Sequence, residues 1–133
     1  MNKVVLDTNV LIYALDESSI FHLRASEILQ DENNLLFTTS KNISEYFAVC
    51  SKLGVDSNKF LGFYEDLTHN LTFLFPNEYS LQHFEMLLQK YKPKGNRVYD
   101  VEIFSIMLAN NIKYVATFNV EDFKNISEVE IIN

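Results

Sequence analysis

Residues 3–13 read Lys3-Val4-Val5-Leu6-Asp7-Thr8-Asn9-Val10-Leu11-Ile12-Tyr13: an apolar run, a polar triplet, then a second apolar run. The first run is short and rich in β-branched side chains, which predicts a buried strand over Lys3 to Leu6. The second predicts a helix from about Asn9. Asp7 therefore stands where a buried strand hands over to a helix. Asp, Thr and Asn all cap helix N-termini well, so Asp7 can be explained as a cap for the helix beginning near Val10. It can also be a functional acid, because a charge at the end of a buried strand is costly unless it is paired, hydrogen-bonded or bound to a cation.

Outward from this stretch, the pattern of short strands and helices repeats. Leu35–Thr38, Leu71–Phe75 (ended by Pro76), Lys113–Thr117 and Val129–Ile132 read as further strands. Between them, apolar residues recur at three- and four-residue steps. Phe21, Ala25, Ile28 and Leu29 mark a helix over Ile20–Gln30. Ile43, Tyr46, Phe47 and Cys50 mark another over Ser40–Leu53, and Phe60, Phe63, Tyr64 and Leu67 one over Asn58–Leu67. Leu81, Phe84, Leu88 and Tyr91 mark a helix that Pro93 and Gly95 terminate, and a last one runs from about Asp100 to Asn110. Strands separated by helices predict an α/β fold with a mostly parallel sheet covered on both faces. No repeat or linker interrupts the 133 residues, so one domain over residues 1–133 is expected. In such sheets, sites form beyond the carboxyl ends of the strands. Two of those ends are polar: Asp7-Thr8-Asn9, and Thr117-Phe118-Asn119.

Composition narrows the chemistry. The lone cysteine, Cys50, excludes an internal disulfide, and its helical spacing from Ile43, Phe47 and Leu53 marks it as a small buried residue. His22, His69 and His83 supply no partner for a catalytic thiol. A reducing cytoplasm is the expected setting. The apolar stretch after Lys3 is broken by Asp7 and Asn9, so it does not read as a signal peptide, and nothing approaches the roughly 20 apolar residues of a membrane span. The net charge of -7 argues against binding a phosphate backbone. Lys90, Lys92, Lys94 and Arg97, interleaved with Tyr91 and Tyr99, are a local exception, readable either as a solvated basic loop or as a phosphate-contacting rim just before Asp100.

Three other acids have plain explanations when taken singly. Asp100 can cap its helix, Glu45 lies off the apolar face of its own helix and can be solvated, and Asp122 can be a turn acid. Taken together and in order, Asp7-Thr8-Asn9-Val10-Leu11-Ile12-Tyr13, Ser44-Glu45, Asp100 and Thr117-Phe118-Asn119-Val120-Glu121-Asp122-Phe123 resemble the PIN domain, and within it the compact VapC-type toxin nucleases. The resemblance covers essentially the whole chain. It implies an α/β/α sandwich that gathers Asp7, Glu45 and Asp100 with one acid of the closing motif. Many relatives carry aspartate where this chain has Asn119, and versions with an acid three residues further on also fit, so either Asn119 or Asp122 completes the cluster.

The resemblance further implies metal-dependent cleavage of RNA, leaving a 5′-phosphate and a 3′-hydroxyl. Clustered carboxylates repel one another, and oxygen-only ligands favour Mg²⁺ or Mn²⁺ over zinc. Asp7 and Asp100 are the expected metal ligands, and Glu45 and Asp122 complete the catalytic set. Thr8, Asn9, Thr117 and Asn119 are expected to support them, and Lys92, Lys94 and Arg97 to meet RNA. A toxin role brings a protein antitoxin and a homodimer as expected partners. Rival readings are a PIN-fold binding module without turnover, which Asn119 keeps open, and an RNA-processing nuclease that is not a toxin. An aspartyl-phosphate phosphatase needs a second aspartate where Asn9 stands.

Overall fold

The computed structural model describes residues 1–133. Five strands, β1 (Asn2–Leu6), β2 (Asn34–Thr39), β3 (Thr72–Leu74), β4 (Tyr114–Ala116) and β5 (Glu130–Ile132), form one sheet in the order β3-β2-β1-β4-β5. Every pairing is parallel, with Val5 opposite Phe37 on one side and Val115 on the other. Seven helices connect and flank the strands: α1 (Thr8–Leu15), α2 (His22–Leu29), α3 (Ser40–Lys52), α4 (Ser57–Asn70), α5 (Glu78–Tyr91), α6 (Arg97–Ala109) and α7 (Val120–Phe123). The fold is the α/β sandwich that the alternation of patterns predicts.

Alternation along β1 divides the interior in two. Val4 and Leu6 point into a core with Val10, Leu11, Ala25, Ile43, Tyr46 and Cys50, contributed by α1, α2 and α3. Val5 points the other way, into a core with Leu87, Val101, Phe104, Ile106 and Met107 from α5 and α6. All three β1 residues are essentially inaccessible, and each such side chain contributes roughly 1.5–3 kcal/mol by leaving water. Cys50 is buried in the first core, as its spacing implies.

Helix ends follow from local chemistry. Asp7 caps α1, Thr39 and Asn42 form a reciprocal capping box on α3, and Asn77 and Ser80 form another on α5. Helix α5 ends at Tyr91 because Lys92 adopts the left-handed conformation (φ 48°), with Pro93 next and Gly95 also at positive φ. Lys92 is thus a backbone turning point as well as a surface cation. Helix α6 begins at Arg97, three residues earlier than its apolar pattern suggests, so Asp100 lies in its first turn instead of capping it. The short α7 gave no sequence signal, since four residues cannot display a helical period.

The chain moves outward from β1 to β2 and β3, then returns to β1's other side for β4 and β5. That reversal makes the gap between the carboxyl ends of β1 and β4 the topological switch point, where parallel sheets leave a crevice.

Candidate active site

Asp7 follows β1 and Thr117 follows β4, so the switch point brings the two polar motifs together. The Thr117 hydroxyl donates to Asp7 Oδ2 at 2.8 Å, and the Asn9 amide reaches the same oxygen at 3.3 Å and Thr117 Oγ1 at 3.2 Å. Asp7 Oδ1 accepts from the Thr8 backbone N–H at 2.8 Å and from Asn42 Nδ2 at 3.3 Å. The carboxylate is therefore clamped by donors from both directions while it also caps α1. The supports are themselves tied down: Asn119 N–H donates to Thr117 Oγ1 at 3.0 Å, and Phe118 N–H donates to Asn9 Oδ1 at 3.2 Å.

Asn42 was not legible as a site residue. It is fully buried, donates to Asp7 and to Thr8 Oγ1 (3.1 Å), and its Oδ1 accepts the Thr39 hydroxyl at 2.7 Å. The available signal was Thr39-Ser40-Lys41-Asn42, a capping box with asparagine in the third helical position. Thr8, Thr39, Asn42 and Thr117 are all buried polar residues, and all belong to this one network. A network without an orphan group fixes its members in place.

Three more acids surround the clamp, each from a different element. Asp100 on α6 is half-buried and its carboxyl is raised to about 6, by burial first and then by the charges of Asp7, Asp122 and Glu45, while Arg97 pulls it down. Glu45 on α3 is raised by partial burial of its carboxyl and then by Asp7, against the pull of the Thr8 hydroxyl. Asp7 is raised by burial, opposed by its bonds from Thr117 and Thr8, and raised further by Asp122. Asp7, Glu45, Asp100 and Asp122 thus stand in one another's fields. Asp122 makes an ion pair with Arg97 at 3.2 Å. Asn119 is exposed, and its contribution is a backbone N–H, not a side-chain contact.

The basic segment divides. Lys92 and Lys94 are exposed and make no ion pair, whereas Arg97 points to Asp122 at the edge of the acidic cluster. Tyr99 is exposed, and the Tyr91 hydroxyl is engaged by Ser127 and Glu128.

This arrangement can be set beside known proteins. The PIN domain family model matches residues 4–129. The chain belongs to the PIN domain family. No curated protein sequence matches it. Among solved structures, the PIN chain is similar to VapBC2 from Rickettsia felis bound to a DNA fragment from their promoter, with 21% identity, 98% of each chain covered and a TM-score of 0.75. It is also similar to VapBC-1 from nontypeable Haemophilus influenzae (25% identity, 98% and 97% covered, TM-score 0.71). The sarcin-ricin loop cleaving toxin VapC20 of Mycobacterium tuberculosis shares the fold at 13% identity, with 96% and 98% covered and a TM-score of 0.72.

The PIN family implies a divalent cation, and the donor set can be tested against one. As the side chains stand, no three His, Cys, Asp or Glu residues close tightly enough to hold an ion. Their chemistry fits a hard cation nonetheless. The cluster offers oxygen alone, Asp7's charge raises the carboxyls of Glu45 and Asp100, and Asp7 is already oriented by its donors. A positive charge beside Asp7 and Asp100 offsets the burial of both carboxylates and the repulsion that Asp7 exerts on Asp100.

Proposed function

We propose that this PIN domain is a Mg²⁺- or Mn²⁺-dependent endoribonuclease and the toxin of a toxin–antitoxin pair. The observation that carries the reading is the meeting of four carboxylates from four separate elements at the sheet's switch point, one of them clamped by side-chain and backbone donors. Support from relatives is of two kinds. The family is one of nucleases, and the similar structures include toxin–antitoxin complexes and an RNA-cleaving toxin.

In this reading Asp7 and Asp100 hold the cation, and Glu45 and Asp122 complete the acidic wall. Asn42, Thr117, Thr8 and Asn9 fix Asp7, and the Asn119 backbone fixes Thr117. When bound, the ion supplies Lewis acidity toward water and the phosphoryl oxygens. Glu45 and Asp122 orient water by accepting hydrogen bonds from it. Lys92 and Lys94 draw the phosphate backbone toward an otherwise acidic protein, and Arg97 stands at the rim between RNA and the acids. A protein antitoxin and a second copy of the chain are the proposed partners, and the cytoplasm is the proposed setting; no helix is long and apolar enough to cross a membrane.

The test is cleavage of a panel of structured and unstructured RNAs by antitoxin-free protein with Mg²⁺, Mn²⁺ or EDTA. Cuts that need the ion and leave 5′-phosphate and 3′-hydroxyl ends are expected. Folded protein that cuts nothing across the panel would make this a binding module instead.

A further inference from the structure

Beside the acids lies a cavity of about 180 Å³ between the α5–α6 connection and α7. Arg97, Asp100 and Asp122 stand at its acidic end, while Tyr91, Phe104 and Ile126 give it apolar walls. Drug-sized ligands occupy upward of roughly 300 Å³, so this space suits a single ring system. Asn125 also lines it, and its side-chain amide makes no hydrogen bond within the chain. An amide offers a donor and an acceptor side by side, the pattern that pairs with the edge of a nucleobase.

We propose that this cavity receives the nucleobase next to the scissile phosphate, with Asn125 reading its edge; the proposal rests on the ribonuclease reading of the adjoining acids. A base placed here has its sugar–phosphate toward Arg97 and the carboxylates, and its ring against apolar walls. The walls are set before a base arrives. The Tyr91 hydroxyl donates to Glu128 and accepts from the Ser127 N–H at 3.1 Å, and Lys90 pairs with Glu128 at 2.8 Å. This latch holds the Asn125–Ile126 turn against the end of α5, so binding does not have to order the loop. It also occupies the Tyr91 hydroxyl, which leaves Asn125 as the uncharged polar side chain of the lining that is free to read a base edge. A cationic side chain from a protein partner is the less suited occupant, because Arg97 already supplies a guanidinium to Asp122, the proposed metal ion takes Asp100, and much of the wall is apolar.

The experiment titrates adenosine, cytidine, uridine and inosine, the last standing in for guanosine, into ¹⁵N-labelled full-length protein. One nucleoside is expected to shift the Asn125 side-chain amide and the Ile126 backbone more than the others do. Asn125→Ala should weaken that binding at least about tenfold, the discrimination expected of a paired base edge. Ile126→Trp should fill the space and abolish binding. No shift with any nucleoside, or binding unchanged in a folded Asn125→Ala protein, would overturn the proposal; so would shifts at these positions by arginine amide alone. Because no turnover is required, the two readings fail separately. Protein that binds a nucleoside here but cuts no RNA keeps the pocket and loses the nuclease. Protein that cuts RNA but binds no nucleoside loses the pocket.

Discussion

Asp7 and Asp100 stand close enough for the charge of Asp7 to raise the Asp100 carboxyl, and they are built in opposite ways. Asp7 is anchored: both oxygens accept hydrogen bonds, and the donors belong to a buried, closed network. Asp100 is held only by its place in the first turn of α6, accepts no hydrogen bond, and feels three neighbouring acids with only Arg97 in opposition. Burial raises both carboxyls, but hydrogen bonds relieve only Asp7. The difference separates position from charge. In the proposed nuclease, one acid fixes where a ligand sits, and the other leaves a charge that a cation satisfies.

Breaking the anchored side should have the largest effect. Asp7→Asn is expected to lower RNA cleavage by about a thousandfold, close to 4 kcal/mol of transition-state stabilisation, in single-turnover assays with Mn²⁺. Cleavage within severalfold of wild type would remove Asp7 from the site. Next in size is Asn42→Ala, which leaves the carboxylate but loosens its clamp. Roughly 10- to 100-fold slower cleavage is expected, together with about 1–3 kcal/mol of lost stability from the buried Thr39 hydroxyl and backbone N–H, which both lose Asn42 Oδ1 as acceptor. A stability loss with full activity would show that the clamp is structural only.

The unanchored side predicts an opposite sign. An acid raised in the folded state binds its proton more tightly there than in the unfolded chain. Stability should therefore fall as pH rises from about 4 through about 6, and remain lower above that. Asp100→Asn should flatten this slope and stabilise the protein at pH 7 by about 1 kcal/mol after allowance for solvent screening, while removing cleavage. Thermal melts from pH 4 to 8 read the difference; an unchanged slope in the variant would place its origin elsewhere.

The smallest effect concerns the latch at the end of α5. Burial, which would raise Glu128, is outweighed by its hydrogen bonds from Lys90 and Tyr91, and the carboxyl is held down to about 2. Its contribution is present above about pH 4.5 and is lost as pH falls through about 2. Glu128→Gln should cost less than about 1 kcal/mol in denaturant unfolding at pH 7, because the pair is largely solvated. A larger loss would make the latch part of the core structure.

The same contrast explains what could be read from sequence. Asp7 was visible because a charge after Val4-Val5-Leu6 is locally anomalous, and the strand and helix periods placed it at a strand end. Thr117 was visible as the start of a polar cluster at another strand end. Asn42 was hidden because an asparagine near a helix start is ordinary, and only the packing of α3 against α1 brings its amide to Asp7. Asp100 was legible by order along the chain, but the earlier start of its helix was not, because Arg97, Val98 and Tyr99 lack an apolar period strong enough to mark the turn. The Arg97–Asp122 pair joins residues far apart in sequence across α6 and α7, and no local pattern announces it.

The most direct test of a shared cation is calorimetric titration of Mn²⁺ into wild type, Asp7→Asn and Asp100→Asn at pH 7. Binding in wild type that is lost or weakened at least about tenfold in both variants is the predicted result, since the anchored and unanchored acids then hold one ion. Equal binding in all three proteins would contradict it and place the cation elsewhere.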